Sequence, residues 1–329
     1  MRKKAYLLTA VLVAAFLLVG TTYGSAMELT ATHVLGPDHH YQHGFEVMRD
    51  IIEEETDGEI TMEIFDSAAL YEEGEALEAL QAGVVDLTTV SAAPVTGFVS
   101  EFMAIDLPFL FADSQEAYDF YDGEMGDALF EKTEEVGLVG LAWWENGMRH
   151  LTNNERPITG PEDLEGLAIR TMDSPPHMET MEVLGASATP VDFGELYSAL
   201  EAGTVDGQEN PVANIYDMSF YEVQDYLTIS GHFYDPSPTF ISPHTWEDLT
   251  SEQQDIVVEA AEVARDEMRQ LALDREEDQL EEMEDEIEIY ELSEEEIEEF
   301  QDATAEVAYE FTDEIGEEFL EEFLEAAGL

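Results

Sequence analysis

The sequence predicts an α/β fold with open, mainly parallel sheets, and three observations carry that expectation. Short apolar strands alternate with helical segments from residue 27 onward. At 44% hydrophobic, the 329-residue chain can bury a large core, in one large domain or two medium lobes. An eight-residue unit also recurs, since ALQAGVVD (79–86) and ALEAGTVD (199–206) agree at six of eight positions. Each copy reads as a helix end closed by Gly83 or Gly203, followed by a strand that ends in an acid. The echo is either a chance recurrence of a common helix–turn–strand unit or the mark of two similarly built lobes. Two lobes would leave a crevice at the carboxyl ends of their strands, where ligands of such sheets bind.

Taken in order, the chain opens on Arg2, Lys3 and Lys4, then the apolar stretch AYLLTAVLVAAFLLVG (5–20) and TTYGSA (21–26). A basic start, a short apolar run and small residues at Gly24 and Ala26 read as a secretory signal peptide, residues 1–26, cut after Ala26. The alternative is an uncleaved anchor, for which the run is short. No second apolar run of spanning length follows. MELTATHVL (27–35) reads as a strand, and HYQHGFEVMRDIIEEETDG (40–58) as a helix ending at Gly58. EITMEIFD (59–66) alternates as a half-buried strand does, GEALEALQAG (74–83) is a short helix, and VVDLTTVS (84–91) a buried strand. Further strands are expected at LVGLAWW (138–144), LAIRTM (167–172) and YLTISGHFY (226–234). Residues 251–283 read as one long helix with Ser251 as N-cap and an apolar stripe of Ile256, Val257, Ala260, Ala264, Met268 and Leu271. A helix of that length spans about 45 Å, enough to brace two lobes. A strand at 287–292 and two acidic helices complete the chain.

Charge excludes whole classes of partner. With 11 Lys+Arg against 78 Asp+Glu the formal charge is −67, so nucleic acid and anionic membranes are ruled out. Removing residues 1–26 leaves eight bases. Nearly all the acids must lie on the surface, since burying unpaired carboxylates is too costly. Such a surface repels itself at ordinary ionic strength, but in molar salt the Debye length falls to about 3 Å. The composition therefore reads as adaptation to high external salt, and acid runs such as 276–288 as solvated faces. Cysteine is absent, which excludes disulfides, thiolate metal sites and a cysteine nucleophile.

The usual enzyme signatures are missing: there is no P-loop, GxGxxG, GxSxG or HExxH. His33, His39, His40 and His43 fall within eleven residues, a set that fits either a metal site or loop and first-turn histidines. Arginine is more informative. Arg149, Arg156 and Arg170 lie within 22 residues, and Arg149 and Arg170 each follow or end an expected strand. An arginine fork holds a carboxylate by two parallel hydrogen bonds. The same residues could instead bridge to neighbours such as Glu145 or Asp173, and spacing alone leaves both readings open.

Longer strings decide more. WWENGMRHLTNNERPITGPEDLEGLAIRTM (143–172), residues 184–234 with VDGQENP (205–211), and DLPFLF (106–111) closely resemble the DctP family. Its members are extracytoplasmic solute-binding proteins of TRAP (tripartite ATP-independent periplasmic) transporters. The resemblance implies a two-lobed Venus-flytrap fold with a long helix crossing both lobes. The expected division is 27–147 with 236–275 as the first lobe, and 148–235 with 276–329 as the second. It implies a periplasmic receptor, monomeric and without a cofactor, that delivers a small organic acid to the sodium-coupled membrane permease subunits. Arg170, ending PEDLxGLxIR, would be the main carboxylate clamp, and Arg149 of NGxRxxTN a second contact. Asn210 would bond the same carboxylate region, and Phe193 would form the aromatic wall. His33, Glu73 and Ser91 would reach the ligand from the first lobe, and Tyr234 from the hinge side. Those first-lobe groups suit hydroxyls, so a sugar acid is expected, and Arg170→Ala is expected to cost several kcal/mol of affinity. The bulky Trp143 and Trp144 and residues 172–176 depart from the family near the clamp. The alternative is a secreted lyase or isomerase acting on a small acid, which would turn its ligand over.

Overall fold

The structure, a computed structural model, describes residues 26–329, so the expected signal peptide lies outside the described residues except for Ala26. A first βαβαβ unit comprises β1 (Met27–Thr32), α1 (His40–Glu55), β2 (Ile60–Phe65), α2 (Glu73–Gln81) and β3 (Leu87–Thr89). After α3 (Ser114–Tyr121) and α4 (Glu124–Glu135) comes the long strand β4 (Val139–Asn153). A second unit repeats the plan as β5 (Ala168–Thr171), α5 (Pro175–Val183), β6 (Ser187–Pro190), α6 (Phe193–Glu201) and β7 (Gly207–Pro211). Then follow α7 (Val212–Asp217), β8 (Tyr226–Ile241), α8 (Pro243–Asp248), α9 (Ser251–Met283) and β9 (Glu288–Glu291). Helices α10 (Glu294–Thr304), α11 (Val307–Glu310), α12 (Thr312–Ile315) and α13 (Glu317–Ala326) close the chain.

The sequence echo is a structural repeat. In the first unit β1 lies between β2 and β3, all parallel, and in the second β5 lies between β6 and β7, also parallel. Gly83 and Gly203 both turn the chain with positive φ, +67° and +64°, the left-handed conformation glycine adopts without strain. The Val84 and Thr204 N–H groups each donate to a carbonyl of the preceding helix, Ala79 and Ala199, at 2.9 Å. The two acids then do the same work. Asp86 accepts from the Thr30 N–H and Asp206 from the Ala168 N–H, each at 2.8 Å, tying each strand to the central strand of its unit.

The expectation of mainly parallel sheets needs correction at the centre. One nine-stranded sheet runs β2-β1-β3-β8-β4-β7-β5-β6, with β9 added on β8. The pairs β3–β8, β8–β4 and β4–β7 are antiparallel, so the two parallel units are joined through two long antiparallel strands. Both long strands outrun their expected lengths. Pro236 and Pro238 hide the second half of β8, because proline normally argues against a central strand. Register shifts between Gly140 and Ala142, Glu145 and Gly147, and Arg149 and Leu151 kink the ladder where the units meet.

Helix α9 has the expected span, but its N-cap is Thr250, not Ser251. Thr250 and Gln253 form a reciprocal capping box, which leaves Ser251 as the first helical residue. Val257, Ala260, Ala264 and Met268 are buried as expected, whereas Ile256 and Leu271 are only half-buried. The alanines let β4 come close, and Trp144 Nε1 donates to the Ala261 carbonyl at 3.0 Å. The C-terminal segment also departs from expectation. Phe300 of α10 shares a core with Leu151 of β4, with Leu164 and with Ile169 of β5. Val307, Ile315, Leu320 and Phe323 instead share a core with Phe102 and Tyr121, residues expected in the first lobe. Among the described residues no helix is long and apolar enough to cross a membrane.

Candidate ligand-binding site

Arg170 sits at the carboxyl end of β5, flanked by β6 and β7, where a parallel sheet directs side chains into the crevice. It is 3% exposed. Its Nε donates to the Val191 carbonyl at 2.8 Å, while Nη1 is buried without a partner. Among the described residues it forms no ion pair. Burial pulls its pKa down to about 10, so it stays charged at neutral pH. A buried cation with an idle donor is costly unless an anion completes it.

Two cavities share Glu73, Arg170, Met172 and Phe193 as walls. The outer one is about 720 Å³, with Glu72, Asp192 and Glu195 at its rim. The inner chamber, lined also by Tyr41, Ser91, Asn146, Asn210 and Asn214, is about 10 Å³, room for roughly one water. Admitting an organic acid to it therefore requires the walls to separate.

Arg149, expected to contact the ligand, is already taken. Its Nε donates to Glu209 Oε2 at 2.5 Å and its Nη2 to Glu209 Oε1 at 2.9 Å. Nη1 donates to Asp235 Oδ2 at 2.6 Å, and Nη2 also reaches the Glu209 carbonyl and Asn210 Oδ1. All three charged groups are at most 3% exposed. Burial works against the charge on Arg149, yet Glu209 and Asp235 hold its pKa above the usual arginine range. Arg149 thus lines the chamber with its fork engaged by Glu209 and Asp235, and it positions those two carboxylates and Asn210.

Asp235 organises the first-lobe side. It accepts from Ser91 Oγ at 2.7 Å, the Ala92 N–H at 3.2 Å and Asn146 Nδ2 at 2.7 Å. Ser91 lines the chamber, and its N–H donates to Glu73 Oε1 at 2.7 Å. Burial pushes the Glu73 carboxyl up to about 7. Asn214 Nδ2 donates to Asn146 and Asn210, each at 3.1 Å, and its Oδ1 faces His39 Nε2 at 3.0 Å. Asn210 thus lies in the wall, and its Nδ2 donates to Gln208. Phe193 stands edge-on to Phe220, with 5.9 Å between ring centroids.

Two expected residues are not brought to the chamber. His33 stacks on Phe45 at 5.8 Å and meets Gln42 through Nε2, because the α1 core claims its ring, and Val34 and Leu35 line the chamber instead. Tyr234 points to the opposite face of β8 from Asp235, as strand alternation requires, and donates to Glu145 Oε2 at 2.5 Å. Trp143 and Trp144 also face away, Trp143 stacking on Phe130 and Trp144 packing on Phe45. Met172, by contrast, does line both cavities. The His39 and His40 rings lie tilted against each other, 3.7 Å between centroids, with His40 Nε2 donating to the Glu145 carbonyl, and so work as packed hydrogen-bonding groups. Among the described residues no group of three or more His, Asp or Glu is arranged to hold a metal. Asp235, Glu209, Asn146 and Asn214 escaped the sequence reading. Asn146, Glu209 and Asn214 lay within the quoted strings as near neighbours of Arg149 and Asn210, whereas Asp235 fell just beyond them.

Over residues 31–314 the sequence matches the bacterial extracellular solute-binding proteins, family 7 (DctP). The chain belongs to that family. A family 7 relative from Rhodobacter capsulatus, its C4-dicarboxylate-binding periplasmic protein DctP, is 32% identical over 87% of this chain and 86% of its own. A solute-binding protein of Verminephrobacter eiseniae is 39% identical over 64% of this chain, and the match spans 63% of that relative's length. Among solved structures, the sugar acid binding protein DctPAm from Advenella mimigardefordensis, in complex with galactonate, superposes with a TM-score of 0.89. It is 32% identical, and the match covers 92% of this chain and 98% of that one. The fold is that of such two-lobed binding proteins, and α9 is its long helix.

Proposed function

We propose that the chain is the solute receptor of a TRAP-type transporter, capturing an organic acid and handing it to a sodium-coupled membrane permease. The observation that carries this reading is Arg170, a buried cation whose Nη1 lacks a partner at the wall of two adjoining cavities. A carboxylate there would take up the idle donor and supply the missing countercharge. The names of relatives support the ligand class, since one is a C4-dicarboxylate-binding protein and another holds galactonate. The work is domain closure and not catalysis: β4 and β8 flex at their register shifts, the solute meets Arg170, and the lobes close over it. The ligand holds the closed state only by its differential affinity for that state. The receptor acts as a monomer in the periplasm of a salt-adapted organism after cleavage behind Ala26. The apolar, basic-headed N-terminus and the charge of −67 support that placement.

A thermal-shift screen of the mature protein in molar salt against a panel of organic acids tests this. A ligand at 100 times its Kd adds about 2.7 kcal/mol, which raises the midpoint by several degrees. A shift with one class of acid, lost in Arg170→Ala, is the expected result. A flat screen across acids contradicts the reading.

A further inference from the structure

We propose that Glu73 sets the specificity of this site, admitting acids with one carboxylate and hydroxyl groups and rejecting dicarboxylates. The inference deepens the receptor reading above and rests on it. The walls of the two cavities carry only two cations, Arg149 and Arg170, and neither lysine nor histidine. Arg149 is neutralised by Glu209 and Asp235, so Arg170 alone is left for an incoming anion. Every other ionisable wall group that carries charge is acidic: Glu73 stands inside, with Glu72, Asp173, Asp192 and Glu195 around the outer cavity. A solute whose carboxylate meets Arg170 thus extends the rest of its body toward carboxylates.

Glu73 is the acid common to both cavities. Among the described residues its carboxylate accepts one hydrogen bond, the Ser91 N–H on Oε1, which fixes its direction and leaves lone pairs on both oxygens. Those acceptors suit a hydroxyl, which donates. A second carboxylate has no proton to give and brings like charge into a site where solvent is largely excluded, so it is repelled. Asn214 spends both amide N–H groups on Asn146 and Asn210, while Asn146 and Asn210 each spend one, on Asp235 and Gln208; the N–H left on each of those two is a neutral donor and supplies no countercharge to a second carboxylate.

The test is titration calorimetry in molar salt with matched aldonate and aldarate pairs, such as gluconate with glucarate and galactonate with galactarate, together with succinate. At about pH 8 Glu73, whose pKa burial pushes up to about 7, is mostly ionised. The wild-type protein is expected to bind the preferred aldonate at least about tenfold more tightly than its aldarate or succinate. In the isosteric Glu73→Gln that ratio is expected to fall by about tenfold, with the unfolding midpoint reported alongside. Wild-type binding of an aldarate or succinate as tight as that of the aldonate overturns the inference, as does an unchanged ratio in Glu73→Gln. If those dicarboxylates bind and Arg170→Ala abolishes it, the receptor reading stands and the role of Glu73 falls. If the wild-type protein binds no acid in a panel widened beyond these pairs, both fall together.

Discussion

Arg149 and Arg170 look alike in the sequence, each at the close of an apolar strand, yet the structure gives them opposite standing. The partners of Arg149 that decide the matter, Glu209 and Asp235, lie 60 and 86 residues away, beyond any local pattern. Arg170 has a backbone carbonyl and an idle Nη1. Two consequences follow for stability without ligand. Arg149→Met leaves two buried carboxylates facing each other and should cost about 3–5 kcal/mol. Arg170→Met removes a desolvated cation with no countercharge and one hydrogen bond, so stability should stay level or rise. Denaturant unfolding of both variants checks this, and similar losses from the two would show that Arg170 is paired in solution. The other residue-scale surprises have the same origin. His33 and Tyr234 sit where a sequence reader looks for ligand contacts, but side-chain direction is set by α1 packing and by strand alternation.

At the scale of elements, most of the fold was legible because each helix and parallel strand carries its own periodicity. The helix at residues 251–283 was read to its ends, with only the cap misplaced by one residue. What stayed hidden was the length of β4 and β8, where a polar glycine-containing motif and two prolines mask strands whose stability comes from each other. The repeated unit was legible as an echo, and its meaning needed the Asp86 and Asp206 hydrogen bonds to matching strands. The repeat makes a paired prediction. Gly203→Ala forces a side chain into positive φ with nothing within 4 Å, and should cost about 1–2 kcal/mol. Gly83→Ala carries the same penalty and also drives the new Cβ to 2.8 Å from the His244 ring, so it should cost more. Unfolding free energies in the reverse order would mean the two turns are not equivalent in solution.

For the molecule as a whole, the strongest signal in the sequence is its acidity, with 78 Asp+Glu against 11 Lys+Arg. Most acids are on the surface, whereas three arginines, Arg149, Arg170 and Arg269, are buried: Arg269 ties α9 to Asp122 and the Trp143 carbonyl, while Arg149 joins the two long strands and β7. The chain then crosses back, from α10 packed with Leu151 and Ile169 to α13 packed with Phe102 and Tyr121, so the C-terminal segment joins two separate cores. That last crossing was not legible, because short acidic helices carry too few apolar residues to say which core they join. Within this acid-rich frame one buried cation, Arg170, has no ion-pair partner among the described residues, and the proposed function rests on it. Calorimetric titration of wild type and Arg170→Met with the acid that gives the largest thermal shift tests this most directly. Loss of at least about a hundredfold in affinity, equal to roughly 2.7 kcal/mol, with folding intact is the predicted result. Affinity within threefold of wild type would contradict it.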